Sequence, residues 1–69
     1  MNNESVSTLD QFDAPYGRQV TLDSVEHESG LRMLRIRIRE GRRFTVMDID
    51  EGTAIRWAAV MSTWCRNAE

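Results

Sequence analysis

Arginine recurs on alternate residues in the segment LRMLRIRIREGRRFTVMDI, residues 31–49. Guanidinium groups bind phosphate oxygens through paired hydrogen bonds and stack on nucleobases. A row of arginines on one strand could therefore bind the phosphate backbone of RNA or single-stranded DNA. The residues that would form this surface are Arg35, Arg37, Arg39, Arg42 and Arg43.

A solvated arginine face balanced by acidic neighbours is the interpretation we favour for the same residues. The whole chain has a net charge of −2, and all nine basic residues are arginine. Asp23, Glu26 and Glu40 lie close enough along the chain to balance the row, and no aromatic residue lies between the arginines. Nucleic-acid binding is therefore the alternative rather than the primary prediction.

Other residue types that could do chemistry occur singly. Asp48, Asp50 and Glu51 could bind a hard cation, but strand alternation turns Asp48 away and Asp50 suits a helix N-cap. His27 is the only histidine, beside a turn and without a second ligand or a nucleophile. Cys65 is the only cysteine, so no intrachain disulfide forms, and its place on an apolar helix stripe predicts a buried thiol. We expect no catalytic residue, metal or cofactor, and no enzyme.

Two turns divide the arginine-rich region into three predicted strands. The first strand is Val20–Glu26, and a Glu28-Ser29-Gly30 loop leads to a second strand, Leu31–Arg39. That loop predicts a register in which Asp23 faces Arg35, Leu22 faces Ile36, Glu26 faces Arg32 and Val20 faces Ile38.

The second turn is predicted at Glu40-Gly41-Arg42, and the third strand at Arg43–Ile49. A three-residue turn sets Phe44 opposite Ile38 and Val46 opposite Ile36.

A helix from Glu51 to Arg66, capped by Asp50, follows the strands. Its apolar stripe comprises Thr53, Ala54, Trp57, Ala58, Val60, Met61, Trp64 and Cys65. The predicted fold class is α+β: a three-stranded antiparallel meander with one C-terminal helix packed on one face (βββα). The packed face would carry Val20, Leu22, Leu34, Ile36, Ile38, Phe44 and Val46.

The domain organisation that follows is a single βββα domain over residues 20–66. Residues 1–19 are polar and aperiodic, which predicts a mobile N-terminal tail. Leu9, Phe12 and Tyr16 are its exceptions, because they could anchor it. Such a small domain has a marginal core, and association with a partner would relieve that shortage.

The sheet face away from the helix is predicted to be divided between apolar residues and arginines. Its interaction surface would have Val25, Met33, Met47 and Ile49 at the centre and Arg35, Arg37, Arg39 and Arg43 at the rim. We therefore expect a non-enzymatic protein-interaction module, acting as a homodimer or as an accessory subunit. The partner would be the chain itself or another protein, with nucleic acid as the alternative and no membrane or small-molecule substrate.

No leader-like segment opens the sequence, and the longest apolar run, Trp57–Met61, is too short to span a bilayer, so a cytoplasmic location is expected. The runs GLRMLRIRIREGRRFTVMDID and TAIRWAAVMSTW resemble a short uncharacterised protein type of proteobacteria, over roughly residues 20–65. That resemblance implies no known activity. The order of strands and helix is also loosely similar to the dimeric coactivators that grip single-stranded DNA on a sheet, with no shared motif.

Overall fold

The computed structural model describes residues 4–67, which form one antiparallel sheet followed by one helix. The strands are β1 (Glu4–Ala14), β2 (Arg18–His27), β3 (Arg32–Glu40) and β4 (Arg43–Ile49), and the helix is α1 (Glu51–Asn67). The sheet order is β1-β2-β3-β4, a simple meander. The predicted α+β class with a C-terminal helix is confirmed. The predicted strand count is wrong, because the sheet has four strands and the region assigned to a tail contains β1.

A β-bulge explains why the sequence pattern did not reveal β1. Thr8 pairs with Asp23, whereas Asp10 pairs with Leu22, so Leu9 is an extra residue on the β1 side. The bulge interrupts the alternation of faces, and the strand contains few apolar residues that would show a period of two. Residues 1–3, also assigned to the tail, lie outside the described residues.

The β2–β3 hairpin has the predicted register. Asp23 pairs with Arg35, and Leu22 pairs with Ile36. The His27 backbone N–H donates to the Leu31 carbonyl at 2.8 Å, and Gly30 has a φ of +93° in the connecting loop. Glycine takes this left-handed conformation without the steric cost of a Cβ.

The predicted β3–β4 register is wrong by one residue. Glu40 pairs with Arg43, so the loop contains only two residues, and Phe44 pairs with Arg39 rather than Ile38. Gly41 opens this loop with a φ of +59°, which matches the glycine preference at the first central position of a two-residue hairpin loop. A one-residue shift turns every side chain of β4 to the opposite face.

The observed registers define two sheet faces. We call one the apolar sheet face; it carries Phe12, Val20, Leu22, Leu34, Ile36, Ile38, Met47 and Ile49. We call the other the polar sheet face; it carries Thr8, Gln11, Thr21, Asp23, Val25, Met33, Arg35, Arg37, Arg39, Phe44, Val46 and Asp48. Among the described residues, only Val25 and Ile49 are buried apolar side chains, on opposite faces.

Helix α1 begins as predicted but does not pack on the sheet. The Asp50 carboxylate accepts a hydrogen bond from the Thr53 backbone N–H at 2.8 Å, which confirms the N-cap. None of residues Glu51–Asn67 is buried, so the predicted helix-on-sheet core is wrong for the single chain. Only Asp50 separates β4 from α1, whereas connections between strands and packed helices usually need 2–6 residues.

The chain is consequently extended. Its radius of gyration is 14.0 Å, against about 11 Å expected for a compact domain of this length. One unbroken sheet with a helix that leaves its end explains the difference.

Candidate protein-interaction surface

The exposed apolar side of α1 forms the first part of the candidate surface. We call it the helix stripe, formed by Trp57, Val60, Met61 and Trp64. Val60, Met61 and Trp64 follow Trp57 by three, four and seven positions, so all four share one side of the helix. Trp57 is 39 % exposed and Trp64 is 71 % exposed. No charged residue interrupts the stripe, and exposed apolar patches of this kind mark contact sites.

The apolar sheet face forms the second part. One cross-strand row joins Phe12, Val20, Ile38 and Thr45, and the next joins Asp10, Leu22, Ile36 and Met47, so each row has three apolar residues and one polar residue at an edge. Phe12 and Met47, near the two edges, are each close to half exposed, and the central residues are partly exposed. Four strands about 4.8 Å apart give this face a width of about 14 Å. Its centre is flat and apolar, and within residues 4–67 no element covers it except at the start of α1, where Ile49 is buried.

The two parts meet where α1 starts. A shallow cavity of about 180 Å³ lies between the first helical turn and the sheet. Leu9, Leu34 and Ala54 contribute apolar groups to its wall. The Arg32 and Glu51 side chains form an exposed ion pair at 3.3 Å across the same junction. The helix start is therefore adjacent to the apolar sheet face, while the rest of the helix extends away.

The polar sheet face is built around the Asp23 carboxylate, which is almost completely buried. Arg37 Nε donates to Asp23 Oδ2 at 2.8 Å, and Thr8 Oγ1 donates to Asp23 Oδ1 at 2.9 Å. Gln11 Nε2 donates to Thr21 Oγ1 at 3.1 Å in the next row. Side chains from β1 and β3 thus satisfy the buried polar groups of β2.

Arg35 forms a second ionic group on this face. Its Nε and Nη2 donate to the two oxygens of Asp48 at 2.8 and 3.0 Å, and Glu4 Oε1 lies 3.9 Å from its Nη1. These hydrogen bonds hold the pKa of the Asp48 carboxyl below its usual value and raise the pKa of Arg35. Arg35 and Arg37 of the polar sheet face are therefore both paired with carboxylates of the same chain.

A family model matches residues 3–67 of the chain. The chain belongs to the family of unknown function DUF6967. No curated protein and no solved structure matches it. Membership confirms the resemblance to an uncharacterised protein type, while a proteobacterial source stays a prediction. Within the described part of the chain, no helix is long and apolar enough to cross a membrane.

The predicted interaction residues of this DUF6967 chain do not share one face. Val25, Met33, Arg35, Arg37 and Arg39 lie on the polar sheet face, and Val25 is fully buried. The one-residue shift of β4 places Met47, Ile49 and Arg43 on the other side, where Ile49 is buried. The divided face expected from the sequence is thus not present. The position of Gly41 in the hairpin loop was the signal that could have revealed this.

The five predicted nucleic-acid arginines divide into two groups. Arg35 and Arg37 are engaged by Asp48 and Asp23. Arg39, Arg42 and Arg43 lie at the β3–β4 turn. Within residues 4–67, no carboxylate oxygen lies within 4.0 Å of the guanidinium nitrogens of these three residues.

The remaining single residues show no reactive arrangement. His27 Nδ1 lies 3.7 Å from Glu4 Oε2. Asp50 caps α1, and the hydrogen bonds from the Thr53 hydroxyl and backbone N–H lower its pKa. Cys65 is exposed, so the predicted buried thiol is wrong. Among residues 4–67, no three His, Cys, Asp or Glu side chains are grouped so that they could hold a metal ion.

Proposed function

We propose that this chain is a small non-enzymatic protein-interaction module, which works as a homodimer or as an accessory subunit of a larger assembly. The observation that carries the proposal is the helix stripe. Two tryptophans lie on a helix that buries no residue in its own chain. Tryptophan is enriched among the residues that dominate binding energy at protein interfaces.

The interaction surface differs from the one that the sequence suggested. It comprises the helix stripe and the apolar sheet face, instead of the face with the arginine rows. The paired charges of the polar sheet face support this choice, because breaking Arg35–Asp48 or Arg37–Asp23 to bind a partner would cost the existing hydrogen bonds. The apolar surfaces have no such contacts to lose.

The energetics of the isolated chain support the same proposal. Among the described residues, Val25 and Ile49 are the only buried apolar side chains. A single sheet with one open apolar face gains little hydrophobic stabilisation, and small domains often complete their core by association. A partner that covers the two apolar surfaces would provide the missing burial.

Site-specific photocross-linking in living cells tests the proposal. We expect a photoreactive benzoylphenylalanine at Met61 to give a covalent adduct with a protein. The same group at Ile55, an exposed apolar residue on the far side of α1, is the matched control and should give none. The absence of an adduct from Met61, Trp57 and Trp64 alike would contradict the proposal.

Nucleic-acid binding remains a second candidate because of the β3–β4 turn. Arg39, Arg42 and Arg43 lie there beside Phe44, which is 60 % exposed and could stack on a base. Three phosphate contacts with a single strand predict a log–log salt slope of about −2. Fluorescence anisotropy of a labelled single-stranded oligonucleotide measures this slope, and an absence of binding at low salt would exclude the candidate.

The cytoplasmic location also stays a prediction.

A further inference from the structure

We infer that the partner is a second copy of this chain, and that the two copies exchange their helices. The helix stripe of each copy packs on the apolar sheet face of the other, around a two-fold axis. This inference rests on the proposed function and names its partner. It accounts for both uncovered apolar surfaces with one contact that occurs twice.

The two surfaces match in number, chemistry and size. Each chain supplies one helix stripe and one apolar sheet face, so two copies satisfy each other and leave neither surface open. From Trp57 to Trp64 the stripe extends about 10 Å along the helix axis. The apolar sheet face is about 14 Å wide and accommodates that length. Both centres are free of charged residues.

The connection between β4 and α1 favours exchange over folding back. Asp50 is the single residue between Ile49 and Glu51, and its carboxylate already caps the helix. One residue is too short to reverse the chain and lay α1 on its own sheet. Short hinge loops favour the exchange of a terminal element between copies, because the same contacts then form without the strained turn.

The exposed area has the size that a stable dimer needs. The chain exposes 5778 Å², whereas a folded monomer of 8.0 kDa is expected to expose about 4,450 Å². The excess is roughly 1,300 Å² per chain, or about 2,600 Å² for two copies, which falls in the range of obligate homodimers.

Sedimentation equilibrium of the purified full chain, combined with tryptophan fluorescence, tests the inference. Trp57 and Trp64 are the only tryptophans, and both belong to the helix stripe. We expect a dimer in the micromolar range, with emission at shorter wavelength and protection from acrylamide as the dimer forms. A monomer at all concentrations overturns the inference. A dimer whose tryptophans stay accessible to acrylamide overturns it as well.

Two pairs of variants locate the contact. Trp64→Glu and Met47→Glu place a charge in the helix stripe and in the apolar sheet face, and each should raise the dimer Kd about 30-fold or more. Ile55→Glu and Val46→Glu make the same change on the opposite side of the same elements, and should change Kd less than about threefold. Trp64 makes no buried contact in its own chain, so Trp64→Glu keeps the test valid even if Met47→Glu unfolds the sheet. Equal effects of all four variants overturn the inference.

A longer hinge separates exchange from other modes of dimerisation. Inserting Gly-Ser-Gly-Ser between Ile49 and Asp50 keeps the cap and lets α1 reach its own sheet. We expect this variant to be a monomer with emission still at short wavelength. An unchanged dimer Kd would overturn the exchange. Should the purified chain be monomeric while Met61 cross-links to a different protein in cells, the inference fails and the proposed function stands.

Discussion

The buried Asp23 carboxylate should be a main determinant of the stability of the sheet. It lies on β2 and accepts hydrogen bonds from Thr8 on β1 and from Arg37 on β3, so it ties three strands together. Its exposed fraction is only 2 %. Asp23→Asn keeps the size and shape of the side chain but removes its charge.

The expected loss follows from the two contacts. Hydrogen bonds to charged groups contribute about 1.5–3 kcal/mol, and an asparagine oxygen retains part of this as a neutral acceptor. The Arg37 side chain is 42 % exposed, so water compensates part of its charge. Removing one partner of a fully buried ion pair costs about 3–5 kcal/mol, and the loss here should be smaller. We expect Asp23→Asn to lower the free energy of unfolding by about 2 kcal/mol. For a domain of this size, that lowers Tm by roughly 10 °C.

Urea unfolding followed by circular dichroism measures this effect, with all variants at one protein concentration because association would shift the midpoint. Asp13→Asn makes the same charge change at an exposed position of β1 and should stay within about 0.5 kcal/mol of the wild type. A double-mutant cycle of Asp23→Asn and Arg37→Met should give a coupling energy of about 1–2 kcal/mol between the two side chains. If Asp23→Asn matches Asp13→Asn, the carboxylate does not hold the strands together and our reasoning is refuted.

Two further predictions concern the hairpin formed by β3 and β4. The hydrogen bonds from Arg35 lower the pKa of Asp48 in the folded protein below its ordinary 3.8. The ion pair therefore stabilises the fold at pH values above the pKa of Asp48 in the unfolded chain, and this stabilisation is lost as the pH falls through the pKa of Asp48 in the folded protein. Urea midpoints of wild type and Arg35→Met should therefore differ most above about pH 5 and converge in acid, and a difference independent of pH would contradict this. Gly41→Ala should destabilise by about 1 kcal/mol, because its φ of +59° disfavours a Cβ although no atom lies within 4 Å. Gly52→Ala is the control at an equally open helical position and should stabilise the protein by about 0.5–1 kcal/mol. Equal effects of Gly41→Ala and Gly52→Ala in thermal unfolding would refute the backbone strain that we assign to position 41.

Sequence pattern predicted those parts of the fold where turn chemistry and alternation agree. In the β2–β3 hairpin, Gly30 and the pairing of Asp23 with Arg35 indicate the same register, and it is the one observed. In the β3–β4 hairpin, turn chemistry and apolar alternation indicate different registers. A three-residue turn pairs Phe44 with Ile38, apolar with apolar, whereas the two-residue loop that Gly41 favours pairs Phe44 with Arg39. Hydrophobic pairing was the weaker guide there, and the candidate site moved to the other face as a result.

β1 was missed for a different physical reason. Its polar residues are held by partners distant in sequence, such as Asp23 for Thr8 and Thr21 for Gln11. Contacts of this kind leave no local period, and the bulge at Leu9 removes what alternation there is. Composition alone therefore predicted a mobile tail for residues that form a strand because they pair with β2.

The helix shows what an amphipathic pattern can and cannot specify. Spacing of Trp57, Met61 and Trp64 indicates that one side of α1 needs an apolar partner. It does not indicate which chain provides that partner. The answer depends on the connection, because Asp50 alone cannot return α1 to the sheet that precedes it. In the helix exchange that we propose, the contact that the sequence predicts within one chain is made between two chains, and the length of this connection decides between the two arrangements.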